Sequence, residues 1–174
     1  TGIFDDVPAG SSFADWIEQL YNEGITGGCS QDPLLYCPEN PVTRAQMAVF
    51  LLSSKYGSDY TPPPATGIFD DVPAGSSFAD WIEQLYNEGI TGGCSQDPLL
   101  YCPENPVTRA QMAVFLLSSK YGSDYTPPPA TGIFDDVPAG SSFADWIEQL
   151  YNEGITGGCS QDPLLYCPEN PVTR

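Results

Sequence analysis

Pro41-Val42-Thr43-Arg44-Ala45-Gln46-Met47-Ala48-Val49-Phe50-Leu51-Leu52 is the stretch that decides the fold. Proline at 41 cannot sit inside a helix, so a helix starts after it. Thr43 with Gln46 three residues on is the capping-box pair, and Val42 with Met47 stands at hydrophobic-staple positions. From Met47 to Leu52 the residues are apolar almost all round, which predicts burial on more than one side. Lys55 suits the negative end of the helix, and Gly57 ends it.

Upstream, Phe13, Trp16, Ile17, Leu20 and Tyr21 recur at helical spacing and make one apolar stripe, with Trp16 read as core. They predict a first helix over about Phe13–Glu23. Ser12 is expected as its N-cap with Asp15 completing the box, and Gly24 followed by Ile25 as a left-handed stop. Between the helices, Gly27–Asn40 reads as a constrained loop, because Pro33, Pro38 and Pro41 forbid a helix through it.

Thr1–Ala65 recurs unchanged as Thr66–Ala130, a period of 65 residues, and a third copy runs from Thr131 to Arg174. The expected organisation is mainly α: tandem helix-loop-helix modules at 1–57, 66–122 and 131–174, joined by Pro-rich extended linkers at 58–65 and 123–130. Three consecutive prolines favour a semi-rigid polyproline segment of roughly 25 Å that spaces the modules. The third module holds a first helix and loop only, so its Phe134, Trp146, Ile147, Leu150 and Tyr151 are expected to lie uncovered. The chain reads as an excerpt or processed piece of something longer.

Five basic residues face 23 acidic ones, a net charge of -18 with no histidine. Nucleic acid is an improbable partner, since phosphate binding needs a Lys/Arg patch. The longest apolar run falls far short of a membrane span. Without histidine a Ser-His-Asp triad is impossible, and no acid is marked for glycoside hydrolysis. The chain is expected not to be an enzyme, and no cofactor is expected. The cysteines come as one local pair per copy: Cys29 with Cys37, Cys94 with Cys102, Cys159 with Cys167. Even count and local pairing predict disulfides and an oxidising compartment. One pair without histidine cannot supply four zinc ligands. Asp5, Asp6 and Asp32 are weak calcium candidates, and turn-forming roles are the stronger reading.

Several separated motifs resemble the S-layer homology family: Phe4-Asp5-Asp6-Val7-Pro8, Trp16-Ile17, Gly24-Ile25-Thr26-Gly27-Gly28, and Tyr36-Cys37-Pro38-Glu39-Asn40-Pro41 running into Val42-Thr43-Arg44-Ala45-Gln46. The resemblance covers nearly all of each repeat except the linker. It implies a helix-loop-helix module that anchors proteins to the bacterial cell surface. Three such modules together bind a pyruvylated cell-wall polysaccharide in the grooves between them. Arg44, Arg109 and Arg174 fall on the family's ligand-associated arginine. Gln46 and Gln111 replace its glutamate, which keeps the cap and removes a charge. The cysteine pair lies outside the family's general pattern.

Arg44 thus has two readings: a bidentate grip on an anionic sugar, or, the stronger of the two, an internal ion pair with Asp5, Asp6 or a neighbouring module. Thr61, Thr66, Thr126 and Thr131 flank Pro-rich sequence and are candidates for O-glycosylation. Perfect repetition favours a structural protein, an extracellular fibre or surface array built by self-association or by continuing repeats. The rivals are a polysaccharide-binding anchor and a designed consensus scaffold.

Overall fold

The computed structural model describes residues 2–174. Among them are five helices: α1 (Ala14–Asn22), α2 (Arg44–Tyr56), α3 (Ala79–Asn87), α4 (Arg109–Tyr121) and α5 (Ala144–Asn152). Three antiparallel hairpins separate them: β1 (Ser30–Gln31) with β2 (Leu34–Leu35), β3 (Ser95–Gln96) with β4 (Leu99–Leu100), and β5 (Ser160–Gln161) with β6 (Leu164–Leu165). The expected mainly-α class is therefore wrong. The unit is a repeated helix–hairpin motif, because the stretch read as loop pairs with itself. Ser30 lies opposite Leu35 and Gln31 opposite Leu34 across a tight Asp32-Pro33 turn. The Cys29–Cys37 disulfide brackets the hairpin, with its counterparts at Cys94–Cys102 and Cys159–Cys167.

α2 and α4 start as expected. The Thr43 hydroxyl accepts from the Gln46 amide at 3.2 Å, and the Thr43 amide donates to Gln46 Oε1 at 3.2 Å. α1 stops as expected too. The Ile25 amide reaches the Leu20 carbonyl and the Gly24 amide that of Tyr21, with Gly24 at φ +69°, the paired bonds of a Schellman ending. The start of α1 differs. Its N-cap is Phe13, with no side-chain cap. Ser12 does not cap because Ser11, Ser12 and Phe13 form a turn, in which the Ala14 amide donates to Ser11.

The packing crosses the repeat boundary. α2 of the first copy lies on α3 of the second, and α4 of the second on α5 of the third. One core joins Val42, Met47, Ala48 and Leu52 to Phe69, Ile82, Leu85 and Tyr101. Another joins Ala113 and Leu117 to Phe134, Ile147, Leu150 and Tyr166. Fully burying a Leu or Ile contributes about 1.5–3 kcal/mol, so these shared cores hold the copies together. The residues expected to be uncovered in the third copy lie under α4 instead, with Phe134 only 3% exposed. The uncovered first helix is α1, where Phe13 is 70% and Trp16 72% exposed. Trp16 is accordingly not core, and Trp81 and Trp146 are only half-buried, at the rim.

The linkers do not hold the modules apart. Tyr60 stacks on Tyr56 at 4.6 Å and meets Trp81 edge-on at 6.0 Å. Pro62 is buried, and the Ala65 amide donates to Asp80 at 2.8 Å. Residues 123–130 repeat this on α5 through Tyr125, Trp146 and Asp145. At the centre three valines close a ring of backbone hydrogen bonds: the Val42 amide to the Val172 carbonyl, Val172 to Val107, and Val107 back to Val42, at 2.9, 2.8 and 2.9 Å. Bridges between Pro41 and Thr173, Thr43 and Pro106, and Thr108 and Pro171 surround it. Three identical sequences are thereby arranged about a pseudo-threefold axis.

Candidate functional site

The ring places one arginine at each seam between copies, always facing the same set of residues on the next copy. The Arg44 amide donates to the Asn105 carbonyl, Arg109 to Asn170, and Arg174 to Asn40. The side chain then lies against a tyrosine ring. The Arg44 guanidinium is 4.7 Å from the centroid of Tyr101, Arg109 4.7 Å from Tyr166, and Arg174 5.5 Å from Tyr36. A guanidinium over an aromatic face is attractive and more so when desolvated.

The three seams differ in openness. Arg44 is 3% exposed. Its Nε donates to the Tyr101 carbonyl at 2.7 Å, and its other nitrogens approach Gln111 Oε1 and Thr91 Oγ1 at 3.4 and 3.5 Å. Burial lowers its pKa, opposed by the nearby Tyr101 and Asp71. Burial likewise raises the Tyr101 phenol, against the pull of Arg44. Arg109 makes the same Nε bond, to the Tyr166 carbonyl at 2.8 Å. Its two terminal nitrogens have no partner among the described residues, and it borders a cleft with Leu150, Ile155, Thr156 and Tyr166. Arg174 reaches Thr26 Oγ1 at 3.3 Å and the Gly28 carbonyl at 3.0 Å.

The internal partner expected for Arg44 is thus on a neighbouring copy, and it is a carbonyl and an aromatic ring rather than Asp5 or Asp6. Asp6 is engaged elsewhere. Its two carboxylate oxygens accept from the Tyr36 and Cys37 amides at 2.8 and 2.7 Å. Asp71 and Asp136 do the same for their copies. This grip holds Cys37, Cys102 and Cys167 at positive φ, 56° to 58°, where non-glycine residues are uncommon. Asp5 and Asp32 are exposed and do not gather with Asp6. Among the described residues the three-group clusters of metal-ligand type are Asp71 with Cys94 and Cys102, and Asp136 with Cys159 and Cys167. Their sulfurs are bonded to each other.

The candidate glycosylation sites divide. Thr61 and Thr126 are exposed. The hydroxyls of Thr66 and Thr131 donate to Glu83 and Glu148 at 2.7 and 2.8 Å. Sequence reasoning missed the residues across each seam: Thr91 with Gln111 for Arg44, Thr156 for Arg109, Thr26 for Arg174. Their signal lay in the Gly-Ile-Thr-Gly-Gly motif, which was visible, but not its partner.

Chemically, a seam offers a guanidinium, a threonine hydroxyl and an aromatic wall, a donor-rich set suited to carboxylates and sugar hydroxyls. The disulfides are bonds that form and persist in oxidising surroundings. No helix is long and apolar enough to cross a membrane among the described residues.

No family model matches the chain. Over 165 residues, 92% of this chain, it is 28% identical to an amylopullulanase of Thermoanaerobacterium thermosulfurigenes. The matched stretch is 8% of that protein, so this chain spans less than a tenth of its relative's length.

Proposed function

We propose that this tandem-repeat chain is a non-catalytic anchor module of the S-layer homology type, binding an acidic cell-wall polysaccharide of a bacterial surface at its seams. The carrying observation is the closed valine ring, which sets three arginines at equivalent positions, one at each seam, rather than along a string. The amylopullulanase match supports it indirectly: a stretch of this size, a small part of a long polypeptide, is what an appended module would occupy.

The Arg109 seam is the favoured site, since its guanidinium has two nitrogens to offer. The net charge of -18 repels an acidic polymer at long range. Binding therefore rests on local contacts and strengthens as moderate salt screens the repulsion. The test is co-sedimentation with purified pyruvylated cell-wall polysaccharide. Retention is expected, with loss after chemical removal of the pyruvyl groups and at least a tenfold loss in Arg109→Ala. Equal retention of variant and parent overturns the reading. An extended fibre ranks second, because it needs strung modules and these linkers lie folded on α3 and α5. Exact repetition supports a designed scaffold equally, for which no polymer would be retained.

A further inference from the structure

Thr61 and Thr126 are the hydroxyl-bearing residues that stand directly before a proline in this chain. Proline disfavours the helical region for the residue ahead of it, so each threonine is held extended. The structure anchors both neighbours and leaves the threonine itself outside. On one side Tyr60 stacks on Tyr56 and meets Trp81. On the other, Pro62 is buried. Thr61, Pro63 and Pro64 are exposed between and beyond these anchors. Thr126 has the same surroundings: Tyr125 stacks on Tyr121 at 4.5 Å, Pro127 is buried, and Pro128 and Pro129 are exposed. Thr66 and Thr131, at the far end of the same stretches, are committed instead. Each hydroxyl donates to a glutamate, Glu83 or Glu148, that is 7% exposed and also accepts from the threonine's own amide. A substituent on that oxygen would remove a donor from a buried carboxylate, which is costly.

We propose that Thr61 and Thr126 are the O-glycosylation sites of this chain, and that Thr66 and Thr131 stay bare. A sugar on Thr61 or Thr126 displaces no packed group. The segment is already ordered on α3 or α5, so it loses little further freedom on entering a transferase. The co-substrate is a sugar nucleotide. Thr61 Oγ1 attacks the anomeric carbon, the bond from that carbon to Oγ1 forms, and its bond to the diphosphate oxygen breaks. The nucleoside diphosphate leaves with the electron pair, and the hydroxyl proton passes to a base of the transferase. Neither threonine lines the clefts at Arg44 and Arg109, so the modification does not depend on what the seams bind.

The test is mass spectrometry of the intact protein recovered from its source organism and digested with trypsin. The peptides Tyr56–Arg109 and Tyr121–Arg174 are identical in sequence, so in the parent they report together. They should carry the added mass of sugar residues, and electron-transfer fragmentation should place it on the threonine before the prolines. Thr61→Val, expressed in the same organism, tells the two apart. Its Tyr56–Arg109 peptide should be bare while Tyr121–Arg174 keeps its sugar, and adding Thr126→Val should leave both bare. Both threonines are exposed, so the variants should fold as the parent does. Bare peptides from the parent overturn the proposal. So does sugar placed on Thr66, Thr131 or a serine, or sugar persisting on the valine peptide. Polysaccharide retention at the Arg109 seam is read in a separate assay, so the two readings fall separately.

Discussion

Arg44 and Tyr101, one on each side of a copy boundary, bond each other twice. Arg44 Nε donates to the Tyr101 carbonyl at 2.7 Å, and the Tyr101 hydroxyl donates to the Arg44 carbonyl at 2.8 Å. Arg109 and Tyr166 repeat the exchange. A side chain named by sequence as a ligand candidate is thus also a rivet of the ring.

Arg44→Ala should therefore destabilise the fold, not merely the site. A lost hydrogen bond to a charged group costs about 1.5–3 kcal/mol, and the bared Tyr101 carbonyl adds to it. Tyr101→Phe, losing one neutral bond, should cost about 1 kcal/mol. Urea unfolding of both variants checks the order. Equal midpoints for Arg44→Ala and the parent would place the guanidinium outside the seam.

Asp71→Ala should cost about 2–3 kcal/mol, since it removes the acceptor for two part-buried amides, Tyr101 and Cys102. It also removes one of the bonds that hold Cys102 at its positive φ of 57°. Asp71→Asn keeps one acceptor oxygen and should lose roughly half as much. Thermal unfolding of the pair measures the difference.

Opening one disulfide by Cys94→Ser with Cys102→Ser should lower stability by about 2.5 kcal/mol on the chain-entropy model for so short a loop. Asp71 still grips that loop in the variant, so β3 and β4 should persist. Denaturant titration gives the first quantity and amide exchange at Leu100 the second.

Acid should cost stability through Glu88 and Glu153. Burial opposes the Glu88 charge most strongly, but the hydrogen bonds from Lys55, Gln84 and Tyr56 together with the Lys55 charge outweigh it and lower the pKa. At Glu153 the Lys120 hydrogen bond leads, and the pKa falls to about 2. Folded values below the ordinary 4.5 mean that the contribution is complete above that pH and is lost as pH falls toward 2. The parent should lose more of its melting temperature than Glu153→Gln between about pH 5 and pH 2.5. Comparing the two cancels the general relief of charge repulsion on acidification. Parallel curves would show the pair to be idle.

Local features were legible in the sequence and long-range ones were not. The Thr43–Gln46 box and the Gly24–Ile25 stop each depend on residues a few positions apart, so spacing reveals them. The Ser12 cap failed because a cap also needs the turn before the helix, and Ser11–Phe13 already form one. The hairpin escaped because its strands are two residues long, too short for alternation to register. The staggered packing was hidden by the repetition itself. When every copy carries the same α2 sequence, the stripe on a first helix is satisfied equally well by its own copy or by the preceding one. Only geometry chooses, and it chose the preceding one. Arg109 was named from its motif, but that its terminal nitrogens face an open cleft followed only from the ring.

Small-angle X-ray scattering of the intact chain tests the ring most directly. Three copies closed about Val42, Val107 and Val172 should give a radius of gyration of about 16 Å, the value for a compact chain of this length. Modules strung on extended linkers of roughly 25 Å each would give a value well above about 25 Å, and that result would contradict the account.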